Sequence, residues 1–115
     1  MFRAMQLAAA TALEAEADWY EGNNENYRNR RHLAGEIMKT LGCTYDEKQV
    51  GMFLWGKIPA SCKDVEELTE KVLHEARVFI TPGFIFGSNG ARYIRISLCC
   101  KDNKLAEALE RIKRI

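Results

Sequence analysis

The segment GARYIRISLCC, residues 90–100, constrains the fold more than any other part of the chain. Successive side chains of a β-strand point to opposite faces of the sheet, and this segment alternates apolar and polar residues. Ile94, Ile96 and Leu98 share one face, which requires a hydrophobic core. Arg95 lies on the other face, which can meet water, a partner or a ligand. The pattern therefore predicts an antiparallel strand with one buried face.

Length and composition indicate one small globular domain. The chain has 115 residues, of which 47% are hydrophobic and 29% charged, and this length suits a single core. The formal net charge is only +1, which argues against a broad electrostatic surface for nucleic acid or lipid. No apolar run approaches the about 20 residues of a membrane helix, and the first residues lack the regions of a signal peptide. We therefore expect a cytoplasmic protein with no nucleic-acid and no membrane partner.

The four cysteines do not have the spacing of a metal site. Cys43, Cys62, Cys99 and Cys100 form no Cys-x-x-Cys pair, and neither histidine is spaced with them as in a zinc site. We expect reduced thiols and no bound metal ion.

Hydrophobic periodicity predicts four helices and a small sheet. The predicted order is helix, helix, one or two strands, helix, strand, strand, helix. The strands are expected within residues 43–59, in RVFI at residues 77–80, and in the segment 90–100, and Asp102 or Asn103 is expected to cap the last helix. The fold class is therefore α+β, a small and largely antiparallel sheet with helices packed on it.

The first two predicted helices differ in what they can bury. FRAMQLAAATALEAEADWYE, residues 2–21, favours a helix by propensity, but its apolar face consists mostly of alanine. Such a face buries too little apolar area to anchor the helix, so this helix lacks a partner. The polar patch EGNNEN, residues 21–26, predicts a turn, with Asn24 or Asn26 capping the second helix, which ends at Gly42.

No set of reactive side chains has the spacing of a catalytic motif. Both histidines lie on predicted helices among charged residues, and GFIFGSNG, residues 83–90, lacks the glycine spacing of a phosphate-binding loop. The cluster Arg28, Arg30, Arg31 and His32 invites an RNA-binding interpretation. No aromatic stacking platform accompanies the cluster, and a solvated helix face is the simpler interpretation.

Four stretches of the chain carry a family resemblance. RVFITPGFIFGSNGARYIRISL resembles the C-terminal segment of the class I/II aminotransferases, fold-type-I enzymes that use pyridoxal phosphate, with Pro-Gly, two residues, Phe-Gly, a glycine turn and Tyr-x-Arg-x-Ser. FRAMQLAAATALE resembles their interdomain helix, YRNRRHLAGEIMKTLG the helix that opens their small domain, and GMFLWGKIP a Gly-x-Phe-x-Trp strand. The resemblance implies that residues 1–23 are the C-terminal part of the interdomain helix and residues 24–115 the small domain.

The resemblance also implies a role for Arg95. In the family this arginine binds the α-carboxylate of the amino-acid substrate, and two parallel N–H groups of a guanidinium match the two carboxylate oxygens. Phe53 and Met52 match the strand segment that borders the substrate pocket, and Phe86 lies in the loop that approaches it. All three are candidates for lining the pocket, and a core position would explain each of them equally well.

A cofactor and substrates follow from the same resemblance. The family binds pyridoxal phosphate through a Schiff-base lysine in a Ser-x-x-Lys context, which no lysine here has. We therefore expect the cofactor to be held by a large domain upstream, with no catalytic or cofactor-binding residue in these 115 residues, which alone should be inactive. The substrates would be an α-amino acid and a 2-oxo acid, and the full-length enzyme would be a homodimer.

Three other functions stay open. A fold-type-I lyase, such as a carbon–sulfur lyase, would use the same carboxylate clamp, because the choice of reaction depends on groups in the large domain. A free-standing α+β module would bind a small carboxylate or a protein partner, and the chain would then be complete at this length. An RNA-binding module would use the arginine cluster, with salt-dependent affinity.

Overall fold

The structure, a computed structural model, describes residues 1–115 and contains four α-helices and a three-stranded sheet. The helices are α1 (Arg3–Leu13), α2 (Ala17–Thr40), α3 (Val65–Lys71) and α4 (Asp102–Ile112), and the strands are β1 (Phe53–Lys57), β2 (Thr81–Pro82) and β3 (Tyr93–Ser97). A π-helical turn, Val72–Ala76, continues α3, and two 3₁₀ turns, Gly83–Phe86 and Ser88–Gly90, lie between β2 and β3. The α+β class with a small antiparallel sheet is confirmed.

Strand β3 is the central strand of the sheet. The order is β1-β3-β2, and both neighbours pair with β3 in the antiparallel sense. Ile94 and Leu98 are fully buried and Ile96 nearly so, whereas Arg95 between them is only partly buried. The alternation read from the sequence therefore matches the two faces of the strand.

The core lies between the inner face of the sheet and helices α2, α3 and α4. The C-terminal half of α2 and the apolar stripe of α4 are buried there, through Ala34, Ile37, Met38, Leu105, Leu109 and Ile112. Gly56 of β1 allows this close packing, because a Cβ at that position would collide with the sulfur of Met38. The opposite face of the sheet, called the outer face below, carries Arg95.

The junction between the first two helices differs from the prediction. The break falls at residues 14–16, and α2 runs without interruption through EGNNEN, so neither Asn24 nor Asn26 is a cap. Gly and Asn inside a helix cost only about 1 kcal/mol or less each, which the packed half of α2 can offset. Tyr20 bridges the break by donating its hydroxyl to the carbonyl of Ala12 at 2.5 Å. The boundary expected between residues 23 and 24 thus lies inside a helix, and the division into domains stays a prediction.

The segment 43–59 follows the prediction, and the segment 77–80 does not. Residues 43–59 contain one strand, preceded by an isolated bridge between Thr44 and Lys57. Residues 78–80 lie outside the sheet, because the π-helical turn ends at Arg77 in the left-handed conformation and the chain joins β3 only at Thr81.

Helix α4 has no side-chain cap. Asp102 is its first residue, and the carboxylate accepts a hydrogen bond from the Nε of Arg30 at 2.9 Å rather than from the helix backbone. The prediction that Asp102 or Asn103 caps this helix was wrong, because the carboxylate is oriented by a partner on α2.

Helix α1 gives the molecule an elongated shape. None of its residues is buried, and the radius of gyration is 16.7 Å, against about 13 Å for a compact chain of similar length. No helix combines the length and the apolar character needed to cross a membrane. The other elements form the packed body, and α1 projects from it.

Candidate functional site

Arg95 occupies the middle of the central strand, on the face that does not contact the core. It lies opposite Trp55 of β1 and Thr81 of β2. Backbone ladders on both sides fix the position of its Cα atom and the direction in which the side chain leaves the strand. A side chain at this position therefore extends from a backbone that is fixed on both sides.

Two phenylalanine rings flank the guanidinium group of Arg95. The guanidinium carbon lies 4.2 Å from the ring centroid of Phe53 and 4.0 Å from that of Phe86. A guanidinium within about 6 Å of a ring centroid is attracted by the ring quadrupole. The structure thus brings together three of the four residues singled out from the sequence.

No acidic side chain neutralises Arg95. It takes part in none of the ion pairs of the chain, and its buried Nε atom has no hydrogen-bond acceptor. A buried donor without an acceptor costs about 1–3 kcal/mol. The outer face of the sheet therefore presents a fixed cation with unused hydrogen-bond donors.

Arg92, three residues earlier, has a different environment. Its guanidinium group donates hydrogen bonds of 2.8–2.9 Å to the carbonyl oxygens of Pro59, Cys62 and Lys63. These bonds tie the segment between β1 and α3 to the start of β3. Arg92 is therefore structural, although it lies in the same segment as Arg95.

The arginine cluster of α2 is engaged within the fold. Each member has a bonding partner in the chain: Arg28 bonds to Glu25 of the same helix, Arg30 to Asp102 and Arg31 to the carbonyl oxygen of Gly51. Arg30 and Arg31 join α2 to the start of α4 and to the loop before β1, respectively. The structure thus supplies intramolecular roles for residues that the RNA-binding interpretation would require.

Met52 lies apart from the guanidinium group of Arg95. It immediately precedes β1, and its carbonyl oxygen accepts a hydrogen bond from the backbone N–H of Leu98 at 2.8 Å. Its half-exposed side chain borders a depression of about 460 Å³ that is lined by α2 residues, among them Tyr27 and Arg31. Of the four candidate residues, Met52 is the one that the structure does not bring to the site.

Two glycines hold the ends of the loop that carries Phe86 close together. Gly83 and Gly90 pack backbone to backbone, and a Cβ on either would collide with the carbonyl oxygen of the other. Gly87 has a φ of 127°, which side chains rarely allow. These constraints determine where Phe86 lies relative to the sheet.

Two further residues support the site, and sequence reasoning did not assign either of them to it. The ring of Trp55 packs edge-to-face on Phe86, with centroids 5.5 Å apart and an interplanar angle of 73°. The amide of Gln49 donates to the carbonyl of Trp55 at 2.8 Å and accepts from its N–H at 2.9 Å. Gln49 thereby replaces the neighbouring strand that the edge strand β1 lacks.

The sequence indicates the position of Trp55 but not that of Gln49. Trp55 lies two positions from Phe53, so strand periodicity places it on the same outer face. Gln49 precedes the strand in an irregular segment, and no periodic pattern marks it. Only the folded backbone shows that its side chain completes the edge of β1.

The lysines, the potential metal ligands and Cys43 are the other groups of chemical interest. Every lysine is exposed, and no cluster of three or more His, Cys, Asp or Glu side chains could hold a metal ion. Burial raises the pKa of the Cys43 thiol to about 11, which keeps it protonated and unreactive at neutral pH.

Comparison with known proteins places this chain in a family. The family model described as aminotransferase class I and II matches residues 2–112. The chain belongs to the class I and II aminotransferases. This aminotransferase chain is 35% identical over 113 residues to an LL-diaminopimelate aminotransferase of Desulforudis audaxviator, and 32% identical over 116 residues to transaminase BacF of Bacillus subtilis. The alignments cover 98% and 100% of the chain but 29% of each relative.

Solved structures agree with the sequence relatives. The aminotransferase chain superposes on apo-BacF from Bacillus subtilis with a TM-score of 0.77, 32% identity, and coverage of 99% of this chain and 29% of that one. An aromatic aminotransferase from Pyrococcus horikoshii gives a TM-score of 0.79 at 33% identity, with 95% and 30% covered. The resemblance to the family and the fold of its small domain are thus confirmed. The chain spans less than a third of the length of the relatives it matches.

Proposed function

We propose that this chain is the small domain of a pyridoxal-phosphate-dependent aminotransferase and that Arg95 binds the α-carboxylate of its substrates. The observation that carries the proposal is the guanidinium group of Arg95, which has no acidic partner and lies on the open face of a central strand. The substrates are an α-amino acid and a 2-oxo acid. Membership of the family supports this reaction class.

The chemistry of the guanidinium group suits a carboxylate. Two parallel N–H groups match two carboxylate oxygens, and each charge-assisted hydrogen bond contributes about 1.5–3 kcal/mol. A pair of such bonds fixes the orientation of the substrate as well as its position. Because Arg95 is mounted on a strand paired at both edges, the bound substrate would be oriented relative to the whole domain.

These residues do not form the complete binding site of the cofactor that the family implies. Pyridoxal phosphate supplies an electron sink for reactions at the α-carbon, and the family attaches it to a lysine. Every lysine of this chain is exposed, and none has the Ser-x-x-Lys context of the family's cofactor lysine. We therefore assign the cofactor to a large domain outside these residues, and assign to this chain only the binding and orientation of the carboxylate.

Exposed apolar side chains support a larger assembly. Phe79 and Ile85 are 71% and 57% exposed, and on α1 the side chains of Met5 and Leu7 are about as exposed. Such surface is costly to leave in water, and large exposed apolar patches mark interfaces. The proposed enzyme covers them with its large domain and with the second subunit of a homodimer.

Substitution of the two arginines tests the clamp. In the longest natural protein that contains these residues, Arg95→Lys should lower kcat/KM for amino donors by about 10- to 150-fold, because one bidentate pair becomes a single point contact. The melting temperature should change little, since Arg95 makes no ion pair within the chain. Steady-state kinetics and thermal denaturation measure the two effects.

Arg92→Lys is the matched control. It should lower the melting temperature, since three hydrogen bonds to backbone carbonyls are disturbed, and should leave kcat/KM within about threefold. Equal, small kinetic effects of both substitutions would remove Arg95 from the site. Product analysis separates the lyase alternative, in which the amino donor releases ammonia instead of passing its amino group to a 2-oxo acid.

A further inference from the structure

We infer that Phe53 and Phe86 are positioning residues that hold the guanidinium plane of Arg95, with Trp55 holding Phe86 in turn. This inference rests on the proposed function, because it assigns a role within the same carboxylate site. It differs from a pocket-lining role, in which the rings would contact the substrate side chain and select among substrates. The two roles give different kinetic patterns.

The geometry of the three groups carries the inference. The ring centroids lie 4.2 and 4.0 Å from the guanidinium carbon, well within the about 6 Å at which a ring attracts a cation. The arrangement that we infer is a stack in which the N–H groups point past the rings. The rings of Phe53 and Phe86 form no aromatic pair with one another, so they meet the guanidinium from separate directions. In that arrangement the guanidinium of Arg95 keeps its N–H edge for a ligand, and that edge is where a carboxylate binds in bidentate form.

The two rings are held with unequal firmness. Phe53 belongs to β1 and pairs with Ser97 across the ladder, so its backbone is part of the sheet. Phe86 is 48% exposed and ends a 3₁₀ turn in the glycine loop. Its one aromatic neighbour is Trp55, whose backbone is bonded twice by the Gln49 amide. Gln49 therefore supports Trp55, Trp55 supports Phe86, and Phe86 supports Arg95.

An arginine side chain is long and has many rotamers, so fixing the guanidinium plane of Arg95 in advance affects substrate binding. Ordering a free guanidinium when the substrate arrives would reduce affinity, and a side chain already stacked between rings avoids that cost. The rings also exclude water from the faces of the cation, which strengthens its attraction for an anion. Their contribution acts on every substrate that has an α-carboxylate, whatever its side chain.

The test is Phe86→Leu in the longest natural protein that contains these residues, assayed with amino donors bearing small, aliphatic and aromatic side chains. We expect kcat/KM to fall by about 2- to 30-fold, and by the same factor for each donor, because the lost interaction acts on the carboxylate clamp. Phe86→Tyr should retain activity, since the ring is kept. In an Arg95→Lys background, Phe86→Leu should have little further effect, which a double-mutant cycle measures.

Further variants keep the result interpretable. Phe84→Leu, the same change in the same loop, should leave kcat/KM unchanged. Phe53→Leu should reproduce the uniform loss, and Trp55→Leu should give a smaller uniform loss by releasing Phe86. The Nε–H resonance of Arg95, followed by NMR in labelled protein, should move in Phe86→Leu, because the ring current is removed whether or not the enzyme turns over.

Each other outcome has a distinct meaning. A loss confined to donors with large side chains would overturn the inference, since the rings would then be pocket walls. A severe effect of Arg95→Lys with no effect of Phe86→Leu or Phe53→Leu would also overturn it, and would leave the proposed function standing. No effect of any of the three would defeat the proposed function itself.

Discussion

At the scale of single residues, Arg92 and Arg95 show how the same side chain takes opposite roles within one segment. Arg92 is bonded to three backbone carbonyls from a segment about 30 residues earlier in the chain. Arg95 meets two rings and no acceptor. Since their chemistry is identical, the difference lies entirely in what the fold brings to each of them.

Also at the residue scale, the burial of Cys43 predicts how the stability of the protein depends on pH. Burial raises its pKa from 9.0 to about 11, so the thiol stays protonated in the folded state while it ionises in the unfolded state. This contribution to the free energy of unfolding is complete below pH 9 and is lost as the pH rises towards 11. Urea denaturation at pH 8 and pH 10.5 should therefore show a larger loss for the wild type than for Cys43→Ala.

A control separates this effect from other groups that titrate at high pH. Cys99 is exposed, so Cys99→Ala should follow the wild-type profile, and a thiol reagent at pH 8 should label Cys99 well before Cys43. Parallel pH profiles for the wild type and Cys43→Ala would show that the buried thiol is not responsible.

At the scale of elements, α2 is the clearest case of tertiary packing overriding local preference. Its first half contains Gly22 and three asparagines, residues that favour turns and caps. Its second half buries Ala34, Ile37 and Met38 against the sheet and α4. Because the packed half supplies a helix that is already nucleated, extension into the polar half requires only the weak propensity cost.

Gly22→Ala tests this account of α2. No atom lies within 4 Å of a Cβ built at Gly22, and alanine inside an exposed helix is favoured over glycine by about 0.5–1 kcal/mol. We expect the free energy of unfolding, measured with urea, to rise by that amount. Gly90→Ala should instead destabilise the protein, because its Cβ would collide with Gly83. No gain from Gly22→Ala would favour the turn that the sequence predicts.

At the scale of the whole molecule, the packed body and the projecting helix have different stabilities. Helix α1 buries no residue, whereas β3 and the second half of α2 form the core. Short helices without tertiary contacts are marginal in water. The elongated shape, 49 Å in its longest dimension, is therefore not equally stable along its length.

Hydrogen exchange should show this difference directly. In the 115-residue chain, the amides of α1 should exchange in seconds, and those of β3 only through global unfolding. In a longer protein with a large domain, the amides of α1 should become protected, because its apolar side chains are then covered. Equal protection of α1 and β3 in the isolated chain would mean that α1 finds a partner within it.

What the sequence by itself determined is local and periodic. The alternation of β3, the apolar stripes of α2 and α4, and the position of Arg95 on the open face follow from repeats of two and of three to four residues, which report burial directly. The glycine loop and the family motifs are also local, and they were sufficient to indicate the family and the candidate carboxylate clamp.

What only the tertiary structure decided is which polar groups are already paired. Arg30 bonds to Asp102, 72 positions away, and Arg92 and Gln49 bond to backbone atoms that no periodicity relates to them. The same holds for the rings that meet Arg95, which come from β1 and from the glycine loop. Hydrogen bonds and ring contacts depend on distances of a few ångströms between distant segments, and those distances exist only once the core has packed.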